Sequence, residues 1–252
     1  MDKVIVCENL SKHFGPFKAV DDISFEVKRG EIFGFLGANG AGKTTALKML
    51  TGLIMPTSGR AEVAGFDVRQ NPEAVKRRIG YMSQKFSLYE DLTVRENIRL
   101  FGGIYGLKRA VILEKTAALL SALELENAAD QRVSALPLGW RQKLSFSVAL
   151  LHEPQIVFLD EPTSGVDPLT RRRFWELIYA TAEQGVTIMV TTHYMDEAEY
   201  CGRVSMMVDG RIAALDTPHL LKKQFDAADM DEVFRKIARP DDKQKTLKSG
   251  KK

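Results

Sequence analysis

Apolar residues fall into short runs closed by glycine, proline or charged residues, with longer stretches of helical spacing between them. Runs at 4–7, 61–65, 79–83, 156–159 and 186–192 read as strands, and so does 31–36, which is apolar enough to be buried on both faces. Residues 23–27 alternate apolar and polar, the period of a half-buried strand. Two short antiparallel strands are therefore expected ahead of the first parallel one. Asp209-Gly210, between the runs 204–208 and 211–215, predicts a tight hairpin. Helices are predicted at 45–50, 72–78 and 169–183, around 220–223 and at 230–237, with another opened by 136–143 and running through 151.

Between about 93 and 129 the period changes. Val94, Ile98, Leu100 and Phe101, then Val111, Leu113, Ala117, Leu120 and Leu123, recur at helical spacing. Thr93 and Glu96 have the spacing of a capping box. Glycines 102, 103 and 106 are expected to break the helix. The whole reads as an α/β core interrupted by a helical insert, about 91–152.

The stretch between the buried strand at 31–36 and its helix carries the chemistry. Gly37, Ala38, Asn39, Gly40, Ala41, Gly42, Lys43, Thr44 and Thr45 fit G-x-x-x-x-G-K-[ST], a phosphate loop. The glycines let several backbone N–H groups converge on one phosphate chain, and the helix start adds positive partial charge there. Lys43 has the reach for the outer phosphates, and the Thr44 hydroxyl is a ligand for Mg²⁺.

A second site sits after 156–159, where four apolar residues end in Asp160-Glu161. That is the form of a buried parallel strand with its acids at the carboxyl edge, where open α/β sheets bind ligands. Asp160 is then expected to share the Mg²⁺ with Thr44, and Glu161 to orient or deprotonate a water. Gln84, at the end of 79–83, is either a solvated polar residue or a group near the metal. His193, just past 186–192, is either structural or a sensor of the γ-phosphate. Phe14 is either core or a ring stacked on a base.

Bulk properties narrow the setting. The net charge of +3 is too small to argue for nucleic acid. No apolar run approaches the ~20 residues that cross a bilayer. The opening Met1-Asp2-Lys3-Val4 lacks the apolar core of a signal peptide. Cys7 and Cys201 are the only cysteines, so free thiols in a reducing, cytoplasmic setting are expected. The tail at 239–252 is lysine-rich and polar, which predicts disorder.

Taken in order, these motifs resemble the ATP-binding subunit of an ABC transporter over about 4–237. The nearest subgroup is the ABC-2 type exporters with their multidrug efflux ATPases, and the chain is similar to one half of fused two-cassette efflux ATPases. The resemblance implies a P-loop NTPase (RecA-like) core with an N-terminal antiparallel β subdomain and an inserted α-helical subdomain, within one cassette at 1–238. It assigns Gly37 to Thr45 to ATP, Phe14 to adenine stacking, and Gln84 to the Q-loop near Mg²⁺. It makes Glu161 the catalytic glutamate, His193 the switch histidine, and Ser164 to Asp167 the D-loop. It also implies a second cassette paired head to tail, integral membrane permease subunits, and a place on the cytoplasmic face of the membrane.

One motif departs from the family's Leu-Ser-Gly-Gly-Gln signature. Here it is Leu136, Pro137, Leu138, Gly139 and Trp140. Proline supplies neither hydroxyl nor N–H, and leucine adds bulk where backbone is expected to approach phosphate. The expectation is an asymmetric pair, in which this signature serves the partner's nucleotide poorly, against a plain homodimer in which it still works through its remaining amides. The alternative is a soluble or regulatory ATPase of the same superfamily that transports nothing.

Overall fold

The computed structural model describes residues 2–84 and 88–238. Among them two sheets and a helical layer can be followed. Strands β1 (Lys3–Phe14) and β2 (Phe17–Lys28) form an antiparallel hairpin that continues into β4 (Ser58–Val63) and the short β5 (Phe66–Asp67), in the order β2-β1-β4-β5. The first two strands are long, not short as their patterns suggest. Polar Glu8 and Asn9 interrupt the apolar run of β1, but the ladder bends around them through register shifts. Asn9 and Asp22 take left-handed backbone there and are tied by an Asn9 Nδ2 to Asp22 Oδ1 bond of 2.8 Å.

The second sheet has the order β10-β9-β3-β8-β7-β6. Its strands are β3 (Ile32–Leu36), β6 (Ile79–Met82), β7 (Ile156–Asp160), β8 (Thr187–Thr192), β9 (Arg203–Val208) and β10 (Arg211–Asp216). All pairings are parallel except β9 with β10, the Asp209-Gly210 hairpin. Strands β7 and β8 are buried along their whole length, as continuous apolar runs in a covered sheet must be. Helices α1 (Lys43–Leu50), α2 (Pro72–Lys76), α6 (Pro168–Glu183), α7 (Pro218–Gln224) and α8 (Met230–Ala238) complete this part. Phe25 on β2 stacks on Phe33 of β3 at 5.6 Å, so the two sheets share one core.

Helices α3 (Val94–Ile104), α4 (Arg109–Ala122) and α5 (Leu138–Ala149) gather around a separate cluster that includes Leu88, Ile98, Leu120, Val133 and Leu144. Thr93 and Glu96 do form the capping box. Glycines 102 and 103 do not stop α3. At Gly102 a Cβ would stand 2.9 Å from Ile112 Cγ1, so the bare backbone is what lets α4 lie against α3. The chain turns only after Tyr105, at Gly106, where φ is +75°. Buried Asn97 on α3 donates to the Tyr89, Leu92 and Thr93 carbonyls and accepts from Tyr89 N, which pins the segment entering this layer. Among the described residues no helix is long and apolar enough to cross a membrane. The tail at 239–252 lies outside the described residues.

Candidate functional site

Strands β3, β8, β7 and β6 are successive neighbours, and each ends at the same edge in a residue singled out by the sequence. The phosphate loop follows β3, His193 follows β8, Asp160 ends β7 with Glu161 next, and Gln84 lies two residues past β6. Parallel pairing thus brings together groups as far apart in sequence as Gly37 and His193.

The loop runs from Gly37 to Gly42, which N-caps α1. At Gly37 (φ +155°) a Cβ would run into the Met207 carbonyl, and at Gly42 (φ +104°) into the Ala19 carbonyl. Both glycines are therefore required twice over, by conformation and by space. Lys43 is buried in the first turn of α1. Its ammonium donates to the Gly37 and Ala38 carbonyls at 2.8 and 3.1 Å and stands 3.6 Å from Glu161 Oε1. Burial pulls its pKa down, against the raising pull of Glu161 and Asp160.

Asp160 Oδ1 accepts from Thr44 Oγ1 at 3.0 Å and from Thr191 Oγ1 at 2.7 Å. Burial pushes this carboxyl up in spite of both bonds. A carboxylate short of positive charge, beside a hydroxyl, is the oxygen donor set that Mg²⁺ takes when phosphates and waters complete its shell. The residues present fit that ion. No group of three or more His, Cys, Asp or Glu suited to a metal occurs among the described residues.

Glu161 takes left-handed backbone (φ +50°), which a non-glycine residue adopts only under constraint. The constraint is visible. Its N–H donates to both the carbonyl (3.1 Å) and the hydroxyl (3.0 Å) of Thr191. The side chain is turned toward the loop, where Gln84 Nε2 donates to Oε2 at 2.9 Å and His193 Nδ1 lies 3.1 Å from the same oxygen. One carboxylate therefore meets the loop lysine, the glutamine after β6 and the histidine after β8.

Next to the loop is a cavity of about 370 Å³, lined by Asn39, Lys43, Thr44, Gln84 and Glu161 among others. The aromatic ring on its wall is Phe17, not Phe14. Phe14 is paired with Phe17 across the β1–β2 hairpin and has the Lys12 ammonium 5.1 Å over its ring.

The motif at 136–140 opens α5. Leu136 is buried in the helical-layer core, and Pro137 is the N-cap, with no side-chain cap bond. Trp140 N and Arg141 N both donate to the Pro137 carbonyl. Gly139 packs on α6, where a Cβ would be 2.5 Å from Thr170 Cγ2. Leu138, Gly139 and Trp140, with Lys143 and Asp167, line a second cavity of about 300 Å³. Asp167 caps α6, accepting from Thr170 N and Oγ1 at 3.0 and 2.6 Å. Ser164 offers its carbonyl to Gln142 Nε2 at 3.2 Å, tying the D-loop segment to α5.

Three contributors escaped sequence reasoning: Thr191, Phe17 and Gln142. For Thr191 a signal existed, since two threonines end a fully buried strand, and buried hydroxyls need partners. Phe17 and Gln142 carry no comparable mark.

Comparison with known proteins agrees with this geometry. Residues 20–164 match the ABC transporter family. "Probable multidrug ABC transporter ATP-binding protein YbhF" of Escherichia coli (strain K12) is 52% identical over 223 residues, covering 88% of this chain and 39% of the relative. The chain thus spans well under half the length of that relative. "Nod factor export ATP-binding protein I" of Ralstonia nicotianae is 38% identical over 92% of this chain and 72% of its own. Among solved structures, an ATP-binding subunit of an ABC transporter superposes with a TM-score of 0.83 at 30% identity, covering 93% of this chain and 99% of that one. The dimeric cassette MJ0796 bound to ADP and Pi superposes at 0.76 and 25% identity, covering 84% and 98%. The matched span, the P-loop fold and the converging edge agree: the chain belongs to the ABC transporter family as an ATP-binding cassette.

Proposed function

We propose that the chain binds Mg²⁺-ATP on the phosphate loop, hydrolyses it, and powers export through separate membrane subunits. The observation that carries this is the convergence of Lys43, Gln84 and His193 on the Glu161 carboxylate, beside Asp160 and Thr44. Thr44 and Asp160 would hold Mg²⁺, which neutralises phosphate charge when bound. Loop amides and the α1 N-terminus cradle the phosphates, and Lys43 turns from loop carbonyls to the outer phosphate oxygens. Glu161 orients a water and accepts its proton as the water oxygen bonds to the γ-phosphorus and the β–γ bridge breaks. Gln84 and His193 hold that carboxylate in place. A Glu161→Gln variant should bind ATP as wild type does while turnover falls ~10²–10⁴-fold, the usual worth of general acid–base help. Turnover at the wild-type rate would sink the proposal.

The name of one relative, Nod factor export ATP-binding protein I, supports export as the direction. The solved MJ0796 dimer supports pairing with a second cassette. We place its attachment at the cytoplasmic face, through partner subunits; among the described residues no helix is long and apolar enough to cross a membrane. Docking is assigned to the segment after Gln84. Lys85, Phe86 and Ser87 lie outside the described residues, and Tyr89 beyond them is exposed. Tyr89→Asp should leave ATP binding intact and uncouple hydrolysis from transport, and normal transport would place docking elsewhere.

Within the pair, this signature is the weaker one. Pro137 brings no hydroxyl and no N–H to the start of α5, and a lost donor to a charged oxygen costs about 1.5–3 kcal/mol. Steady-state ATPase should be low for the isolated chain and rise with a cassette bearing an intact signature. Strong activity alone, unchanged by Pro137→Ser, would remove the asymmetry.

A further inference from the structure

Three arginines follow one another near the start of α6, and one differs from its neighbours. Arg172 and Arg173 are exposed, whereas Arg171 is half-buried, with its guanidinium carbon 3.9 Å over the centre of the Tyr194 ring. The Tyr194 ring lies 4.2 Å from the His193 ring at a tilt of 35°, and His193 Nδ1 is 3.1 Å from Glu161 Oε2. A line of contacts therefore runs from α6 to the carboxylate of the site. Charge keeps Arg171 in its pose: Nη1 is 3.5 Å from Asp196 Oδ2, and Nε is 3.7 Å from Oε1 of the fully buried Glu197. Glu197 also accepts from Thr163 Oγ1 at 2.6 Å, two residues past Glu161, and Tyr194 N donates to Thr192 Oγ1 at 3.0 Å. The segments after β7 and β8 are thus tied to each other and to α6 through residues that do not line the loop cavity. The histidine ring turns about a broad torsion, so its one hydrogen bond to Glu161 leaves the ring plane free to swing. The face of Tyr194 removes that freedom.

We propose that Tyr194, clamped by Arg171, is a positioning residue that holds the ring of His193 against Glu161 during hydrolysis. The inference rests on the ATP reading above and adds the groups that aim the histidine. A guanidinium suits this task because it is planar, always charged and weakly hydrated, so it stacks on an aromatic face while its edge meets carboxylates.

Single-turnover hydrolysis of Mg²⁺-ATP by an excess of the full chain, with ATP affinity titrated separately, tests this. Tyr194→Ala should lower the maximal rate about two- to thirty-fold, the range of one cation–π contact, and leave ATP affinity unchanged. The unchanged affinity also shows that the variant is folded. Tyr194→Phe, which keeps both ring faces, should restore the rate, and Tyr194→Leu, which fills the space without a π-face, should not. Arg171→Lys keeps a charge for Asp196 and Glu197 but gives up the planar stack, so it should lower the rate as well. In a His193→Ala background, Tyr194→Ala should lower the rate no further. A wild-type rate in Tyr194→Ala, full rescue by Tyr194→Leu, or an equal loss with His193 already removed would overturn the clamp while leaving the nucleotide site standing. Wild-type protein that binds ATP without hydrolysing it would overturn the hydrolytic reading and the clamp together.

Discussion

Thr191 is the residue on which the geometry of both acids converges, and Thr191→Val isolates its hydroxyl. Valine keeps the size and branching of threonine within a strand buried on all sides. What disappears is one donor to Asp160 Oδ1, at 2.7 Å, and one of the two acceptors for Glu161 N–H. The Thr191 carbonyl still receives that N–H at 3.1 Å, so the left-handed turn at Glu161 should persist. Asp160 loses more, because Thr44 alone remains to it. A hydrogen bond to a charged group contributes about 1.5–3 kcal/mol. If that bond orients the carboxylate for Mg²⁺, the gain in ATP affinity on adding Mg²⁺ should shrink by about ten- to hundred-fold. The assay is ATP titration with Mg²⁺ and with EDTA, in a Glu161→Gln background that stops turnover. The EDTA arm should match the parent, since the loop and Lys43 are untouched. A Thr191→Val protein with the parent's full Mg²⁺ enhancement would refute the role given to the hydroxyl.

Two further substitutions or conditions follow. Gly42→Ala should abolish ATP binding, because its φ of +104° is strained for alanine and the new methyl would meet the Ala19 carbonyl; fluorescence of a nucleotide analogue reads this directly. The thiols should be silent to Ellman's reagent at pH 8 until the protein is unfolded, when two should react: burial pushes Cys7 from its ordinary 9.0 up to about 12 and raises Cys201 further. A thiol whose pKa is raised by folding keeps its proton in the native state while the unfolded chain loses it above pH 9, so these groups leave stability unchanged below that and lower it as pH rises from 9 toward 12. Urea midpoints at pH 8, 9 and 10 should therefore decline slightly over the first step and mainly over the last, and Cys7→Ala with Cys201→Ala should flatten that decline.

The sequence made the edge of the site readable because each of its parts is local. A phosphate loop, an acid pair closing an apolar run, and single residues at strand ends are all visible without knowing which strand lies beside which. What escaped depends on neighbours. Thr191 reaches Asp160 because β8 lies next to β7, a pairing of residues 31 positions apart, and Phe17 lines the cavity because the hairpin turn sets it near a loop more than 20 positions on. The lengths of β1 and β2 were hidden for a related reason: Asn9 and Asp22 look like interruptions until their side chains are seen to bond across a bulge. Glycine misled in the opposite direction, since Gly102 looks like a helix breaker and is a contact surface for Ile112.

Pro137 shows how far the local reading goes. That it lacks both an N–H and a hydroxyl is plain from its type. The structure adds that Pro137 is the N-cap of α5, a position whose own N–H takes no part in the helix ladder. The proline therefore leaves the helix whole, and its carbonyl still receives Trp140 N and Arg141 N. Gly139 is fixed by Thr170, so its retention reflects packing on α6 as much as approach to phosphate. Pro137→Ser should restore a cap worth ~1 kcal/mol to α5, raising the melting temperature slightly whatever it does to hydrolysis. A stability gain without a gain in ATPase would separate the cap from the signature's part in catalysis.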